Sequence, residues 1–123
     1  MGGRHGKPPT LRRRQDFVRV QRTGRRFVRA NLALLIATNS TESARVGYTI
    51  SRKVGNAVVR NRVRRRLREI VRHQPDLHLM GVDYVFIAFT AAASAEFHAL
   101  FEDVTWLLEQ AQAWVSSRRS LSS

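Results

Sequence analysis

Seven arginines crowd one short stretch: Arg60, Arg62, Arg64, Arg65, Arg66, Arg68 and Arg72, with Glu69 the one acid among them. A guanidinium presents a flat fork of donors that matches phosphate oxygens and can stack on a base, so this density points to polyanion binding. If the segment is helical, like charges at Arg60/Arg64, Arg62/Arg66 and Arg64/Arg68 each cost roughly a few tenths of a kcal/mol. Folding alone gives no reason to place them there, and a solvated helix face ordinarily mixes both signs. Asn61, set between Arg60 and Arg62, is a mediocre helix former. It is either an ordinary polar surface residue or the carrier of a specific hydrogen bond, and spacing does not separate the two.

Groups for catalysis by the protein itself are sparse. His5, His73, His78 and His98 form no recognisable triad or zinc spacing, and His73 and His78 flank Pro75 in an expected turn. Asp76 and Asp83 read as turn and strand-start residues. The chain has no cysteine, which excludes disulfides and thiolate metal sites and fits a reducing compartment. The longest apolar runs, near Leu32–Ala37 and Val85–Ala93, fall far short of a membrane span. Met1–Arg14 is charged and has no apolar segment, so a signal peptide is not expected and the expected location is cytoplasmic. On that ground the glycosylation pattern Asn39-Ser40-Thr41 carries no weight.

The charge is polarised along the chain. The net charge is +13, yet residues 1–72 hold 20 basic and 3 acidic side chains while residues 73–123 hold 2 and 6. A molecule built this way has one binding side. Its 123 residues and 43% hydrophobic content suit one ordinary domain with a real core. The expected domain spans 1–123, with loose ends at 1–9 (Gly, Pro and basic) and 116–123 (Ser and Arg).

Periodicity places these residues on elements. Phe17 and Val20 at helical spacing, with Gly24 as a stop, predict a first helix over Arg12–Thr23, its start stapled by Leu11. Asn31–Thr38 is a compact apolar run and predicts a strand. Arg45–Ser51 alternates Val46, Tyr48 and Ile50 on one face and predicts another, with Asn39–Ala44 as a hairpin loop between them. Phe27–Ala30 suggests a short edge strand. In Asn56–Arg72 the residues Val59, Val63, Leu67 and Ile70/Val71 form one apolar stripe, so the arginines ride the rest of a helix stopped by Pro75. Val82–Phe89 predicts a buried strand. Ala95–Val115 predicts a last helix through Phe97, Leu100, Phe101, Val104, Leu108 and Ala111, with Ser94 as N-cap and Glu96 near the positive end of the dipole. The fold class is α+β, a small sheet against helices with the basic helix between strands.

The block Arg45–Glu69, RVGYTISRKVGNAVVRNRVRRRLRE, resembles the signature of the bacterial ribonuclease P protein component. Arg52-Lys53, Gly55-Asn56-Ala57-Val58, Arg60-Asn61-Arg62, Arg64-Arg65 and Arg68 carry the likeness. It extends more weakly over Asp16-Phe17, Gly24, the Asp83–Ala88 strand and the last helix. The resemblance implies an αβββαβα order around a small mixed sheet, with a left-handed crossover through the basic helix. It also implies an accessory subunit of an endoribonuclease, paired 1:1 with a catalytic RNA that removes the 5′ leader of precursor tRNA. On this reading the RNA holds the active site and the required Mg2+, and the protein alone binds no cofactor and no membrane. Matched by position, Arg60, Asn61, Arg62, Arg64, Arg65 and Arg68 would face the catalytic RNA. Phe17, Ser51, Arg52 and Lys53 would line or edge a cleft for the leader. Two places where the family often carries aromatics hold Gln21 and Leu35 here, and nearby Arg14, Arg22 and Arg25 are expected to compensate. The remaining rivals are an autonomous nuclease, which lacks a catalytic constellation, and a general RNA-binding protein, which lacks a reason for the Arg45–Glu69 pattern.

Overall fold

The computed structural model of the chain describes residues 9–41, 43–74 and 81–122. Helix α1 (Arg14–Thr23) leads into strands β1 (Arg25–Val28), β2 (Leu32–Thr38) and β3 (Arg45–Thr49). Then come α2 (Ala57–Arg72), β4 (Val82–Ala88), a 3-10 turn over Thr90–Ala93, and α3 (Phe97–Ser122). This is the αβββαβα order, and the four strands lie in the order β1-β2-β4-β3. β1/β2 and β2/β4 are antiparallel, whereas β3/β4 are parallel and joined through α2.

The expected hairpin between β2 and β3 does not form, because β4 lies between them. The physical reason is burial: β4 is apolar and covered on both sides almost throughout, so it takes a central place, while β3 carries Arg45 and goes to the edge. Asn39 and Ser43 pair instead with the residue before β4: Asn39 N donates to Gly81 O at 2.8 Å and Gly81 N to Ser43 O at 3.2 Å. Gly81 takes φ 76°, a conformation that a side chain would strain.

Two apolar layers flank the sheet. On one face Leu32, Leu34, Ile36, Val46, Tyr84 and Phe86 pack with Val63, Leu67 and Ile70 of α2 and with Leu100, Val104 and Leu107 of α3. On the other, the smaller cluster of Leu35, Ala37 and Val85 packs with Leu11, Val20 and Phe17. α2 is capped as its sequence suggests: Asn56 accepts a hydrogen bond from Val59 N at 3.0 Å, and the buried stripe holds the helix on the core. The helix ends at Arg72; Pro75, the expected stop, lies outside the described residues.

Several boundaries differ from those the sequence predicts. α1 begins at Arg14 because Arg13 is still extended, and the edge strand sits at Arg25–Val28. Ser94 does not cap α3; its N–H closes the 3-10 turn on Ala91 O at 3.3 Å, a turn that buries Ala92 completely, and α3 starts at Phe97. That helix continues through 116–122, where the composition suggests a loose end; within this stretch the Arg118 guanidinium lies 4.7 Å over the Trp114 ring one turn earlier. At the other end Pro9 is not loose either, since its carbonyl accepts from Val46 N at 2.9 Å. Residues 1–8 lie outside the described residues.

Candidate nucleic-acid interface

With Val63, Leu67, Ile70 and Val71 turned inward, the remaining positions of α2 divide between two surroundings. Arg62 and Arg66 reach down: Arg62 Nη2 donates to Ala93 O at 3.1 Å and Arg66 Nη1 to Ala95 O at 3.3 Å. They hold α2 against the segment that leads into α3. Arg60 folds back to Gly55 O at 2.9 Å. Val59 leans on the main core, and the others face out. Val58, Asn61, Arg64, Arg65 and Arg68 line one shallow concavity of about 420 Å3. Asn61 accepts from Arg64 Nη1 at 3.0 Å, so the Asn among the arginines orients a guanidinium. Arg65 and Arg68 make no hydrogen bond or ion pair with the described residues, and Glu69 pairs with Arg72 and His73 instead. Burial pushes the Tyr48 phenol on β3 well above its ordinary value, and the Arg68 charge draws it partly back.

Thus the six residues matched to the catalytic-RNA face lie on one helix, and four of them, Asn61, Arg64, Arg65 and Arg68, line the same concavity. Arg60, Arg62 and Arg64 each spend a donor within the protein, on Gly55 O, Ala93 O and Asn61 Oδ1.

The opposite sheet face is ordered by strand register. Its side chains form rows: Val28–Ala33–Ile87–Thr49, then Arg26–Leu35–Val85–Gly47, then Ala37–Asp83–Arg45. α1 crosses the last row and part of the middle one. Phe17 stands over Gly47 so closely that a Cβ there would lie 2.6 and 2.7 Å from two ring carbons. Gly47 is therefore the gap that seats the ring. Gln21 and Arg14 lie one step round the helix from Phe17, on the side away from Asp16 and Val20. Ser51, Arg52 and Lys53 are exposed in the turn that follows β3, closed by Val54 N to Ser51 O at 3.1 Å. Phe17 and this turn thus bracket Thr49 along β3. Of the three cations expected to make up for missing aromatics, Arg25 is misplaced: it pairs with Ile36 on the helix-covered face and lies 5.5 Å over the Phe27 ring.

What fixes α1 in place is a buried carboxylate that in sequence reads as a simple strand-start residue. Asp83 is completely buried. Arg45 binds it with Nε and Nη2, both at 2.8 Å, Asn39 Nδ2 donates at 2.7 Å, and Arg19 of α1 adds a further close contact. Arg19 also donates to Thr38 O at 2.7 Å, and Asp16 lies 3.7 Å from Arg45. Burial by itself would raise the Asp83 carboxyl, but the hydrogen bonds from Arg45 and Asn39 and the Arg45 charge outweigh it and hold the group below the ordinary value. The same pairing raises Arg45. A second acid, Asp103 of α3, clamps the β1–β2 turn by accepting from Asn31 N at 3.0 Å, Asn31 Nδ2 at 3.1 Å and Arg29 Nε at 3.2 Å. No sequence pattern flags either acid, since their partners are dozens of residues away.

Among the described residues no group of three or more His, Cys, Asp or Glu side chains could hold a metal ion, and no helix is long and apolar enough to cross a membrane.

Comparison with known proteins agrees with the geometry. The family model described as Ribonuclease P matches residues 6–112. The chain is 41% identical over 103 residues to the ribonuclease P protein component of Gluconacetobacter diazotrophicus, covering 82% of this chain and 89% of that one. It is 43% identical over 102 residues to the corresponding component of Chloroflexus aurantiacus, covering 82% and 76%. Among solved structures, the RNase P protein from Thermotoga maritima superposes with a TM-score of 0.73 at 28% identity, covering 82% of this chain and 96% of that one. A matched family model over most of the chain, relatives above 40% identity and the shared αβββαβα fold lead to one assignment: this chain belongs to the ribonuclease P protein family.

Proposed function

We propose that this chain is the accessory RNA-binding subunit of ribonuclease P in the cytoplasm, holding the catalytic RNA on α2 and the 5′ leader of precursor tRNA on the α1-side face of the sheet. The observation that carries the reading is the outward cluster of Asn61, Arg64, Arg65 and Arg68, guanidiniums given no carboxylate of their own, joined by the turn before α2 to a sheet face edged by Phe17, Arg52 and Lys53. Precursor tRNA and catalytic RNA are both polyanions and repel on approach. A cationic subunit at their junction lowers that repulsion and adds leader contacts that mature tRNA lacks, so substrate is held in preference to product. The endonucleolytic step belongs to the RNA and the Mg2+ it binds. The protein contributes one copy per RNA and, by arranging phosphates, reduces the magnesium the assembly needs.

The test mixes the protein with a bacterial catalytic RNA and follows leader removal at limiting Mg2+. Added protein is expected to restore cleavage, and cleavage indifferent to the protein at every magnesium level would refute the reading. Replacing Phe17 by Ala is expected to weaken binding of leader-bearing tRNA by about fivefold or more, the scale of one base stacked on an aromatic ring, while mature tRNA binding stays put. Equal losses for both would remove Phe17 from the leader site.

A further inference from the structure

Three arginines are rooted on the strands themselves, and they meet different ends. Arg45 is bound on two sides by Asp83. Arg25 turns to the helix-covered face and lies over Phe27. Arg29, in the turn after β1, is also occupied, held by Asp103 and stacked 5.0 Å over Trp106. Arg26 alone is exposed on the α1-side face, with no hydrogen bond or ion pair to the described residues. Its register partner Leu35 is only 5% exposed, so at this point of the face the accessible group is the guanidinium and not the apolar floor.

We infer that Arg26 is a leader-contacting residue, which extends the leader path across the sheet from Phe17 at β3 to the β1 edge. The inference rests on the leader reading above and adds to it a residue, a direction and a length. Phe17 and Arg26 stand at opposite ends of one row, Arg26–Leu35–Val85–Gly47. Three interstrand steps of about 4.8 Å separate β1 from β3, so the two groups are roughly 14 Å apart. At about 3.4 Å per stacked nucleotide, that distance is crossed by about four nucleotides, or fewer if the strand is extended. Direction follows from where α2 sits. α2 begins at Ala57, directly after the turn that ends β3, so the start of the catalytic-RNA face adjoins the β3 end of the sheet. β1 is the far edge. A leader emerging from the cleavage junction therefore meets Lys53, Arg52 and Phe17 first and Arg26 later. A flat cation suits that distal place, since it takes a phosphate or stacks on any base without reading sequence.

The experiment compares the parent protein, Arg26→Ala and Arg25→Ala, each assembled with a bacterial catalytic RNA. Affinity is measured for mature tRNA and for precursors whose leaders are too short or long enough to cross the row, about two and about eight nucleotides. Arg26→Ala is expected to bind the long-leader precursor about fivefold or more weakly, with changes under about twofold for the short leader and for mature tRNA. Arg25→Ala removes the same charge one residue away on the other face and is expected to change each affinity by less than about twofold. Equal losses in the two variants, or a loss in Arg26→Ala that ignores leader length, would overturn the assignment. A parent assembly that holds mature tRNA as tightly as the long-leader precursor would remove the leader reading itself, and Arg26 with it.

Discussion

Replacing Asp83 by Asn removes one charge while keeping nearly the same shape, and its cost can be worked from the surroundings. The carboxylate is fully buried and takes two hydrogen bonds from Arg45, one from Asn39 and one from Arg19. Breaking a buried pair by removing one member typically costs about 3–5 kcal/mol, because the other charge is stranded. Here the stranded guanidiniums keep some water, with side chains 34% (Arg19) and 24% (Arg45) exposed, so the lower end applies, about 3 kcal/mol. With a urea slope of about 1.5 kcal/mol per molar, the unfolding midpoint should fall by about 2 M. Fluorescence of Trp106 and Trp114, both packed against the main core, reports the transition. The pH dependence supplies an independent check. Asp83 has a folded-state value below its ordinary 3.8, so its stabilisation is fully present above that value and is lost as pH falls through the depressed one. The gap between parent and variant should therefore hold steady from about pH 5 to 8 and close in acid, below about pH 4. A midpoint shift under about 0.3 M, or a gap unchanged in acid, would refute the reasoning.

Two further substitutions test how the surfaces are divided. Arg65→Ala should weaken catalytic-RNA binding, flatten the plot of log K against log salt by about 0.7–0.9 for each phosphate no longer neutralised, and leave stability within about 0.5 kcal/mol. Arg62→Ala should lower stability as well, by about 1–2 kcal/mol in urea unfolding, because its bond to Ala93 O disappears. Identical stabilities for the two variants would contradict that division. Gly47→Ala should destabilise by about 1–3 kcal/mol by driving the Phe17 ring from its seat, and should reduce leader preference along with it. A fully stable Gly47→Ala protein with normal leader preference would show that the ring is not seated there.

Local patterns carry through into the structure, whereas pairings distant in sequence do not announce themselves. α2 is legible because Val59, Val63, Leu67 and Ile70 repeat at helical spacing over about three turns and Asn56 is a ready cap. β3 is legible from the alternation of Val46, Tyr48 and Ile50. The place of β4 is not, since strand order depends on which strand most needs cover on both sides, a comparison among elements far apart. Asp83 hides for the same reason: its partners Arg45, Asn39 and Arg19 lie 38, 44 and 64 residues away. Arg25 and Arg26 are neighbours of one type, and only register with β2 decides which one meets the open face; a slip of one residue would exchange them. Ser94 has the side chain of a cap, but the run of alanines before it forms a turn that uses its N–H first.

The parallel junction of β3 with β4 also bears on the order in which the chain can be assembled during synthesis. β4 separates β2 from β3, so neither strand can complete its ladder until Ala88 has left the ribosome. At about 5–20 residues per second, that is a wait of a few seconds after β2 emerges. For that interval Arg19 and Arg45 await the carboxylate that will neutralise them, and the nascent segment up to residue 72 carries a balance of +17 on its own. An anion present at that moment would serve as a temporary counter-charge, tying maturation of the polypeptide to the ionic company it keeps while being made.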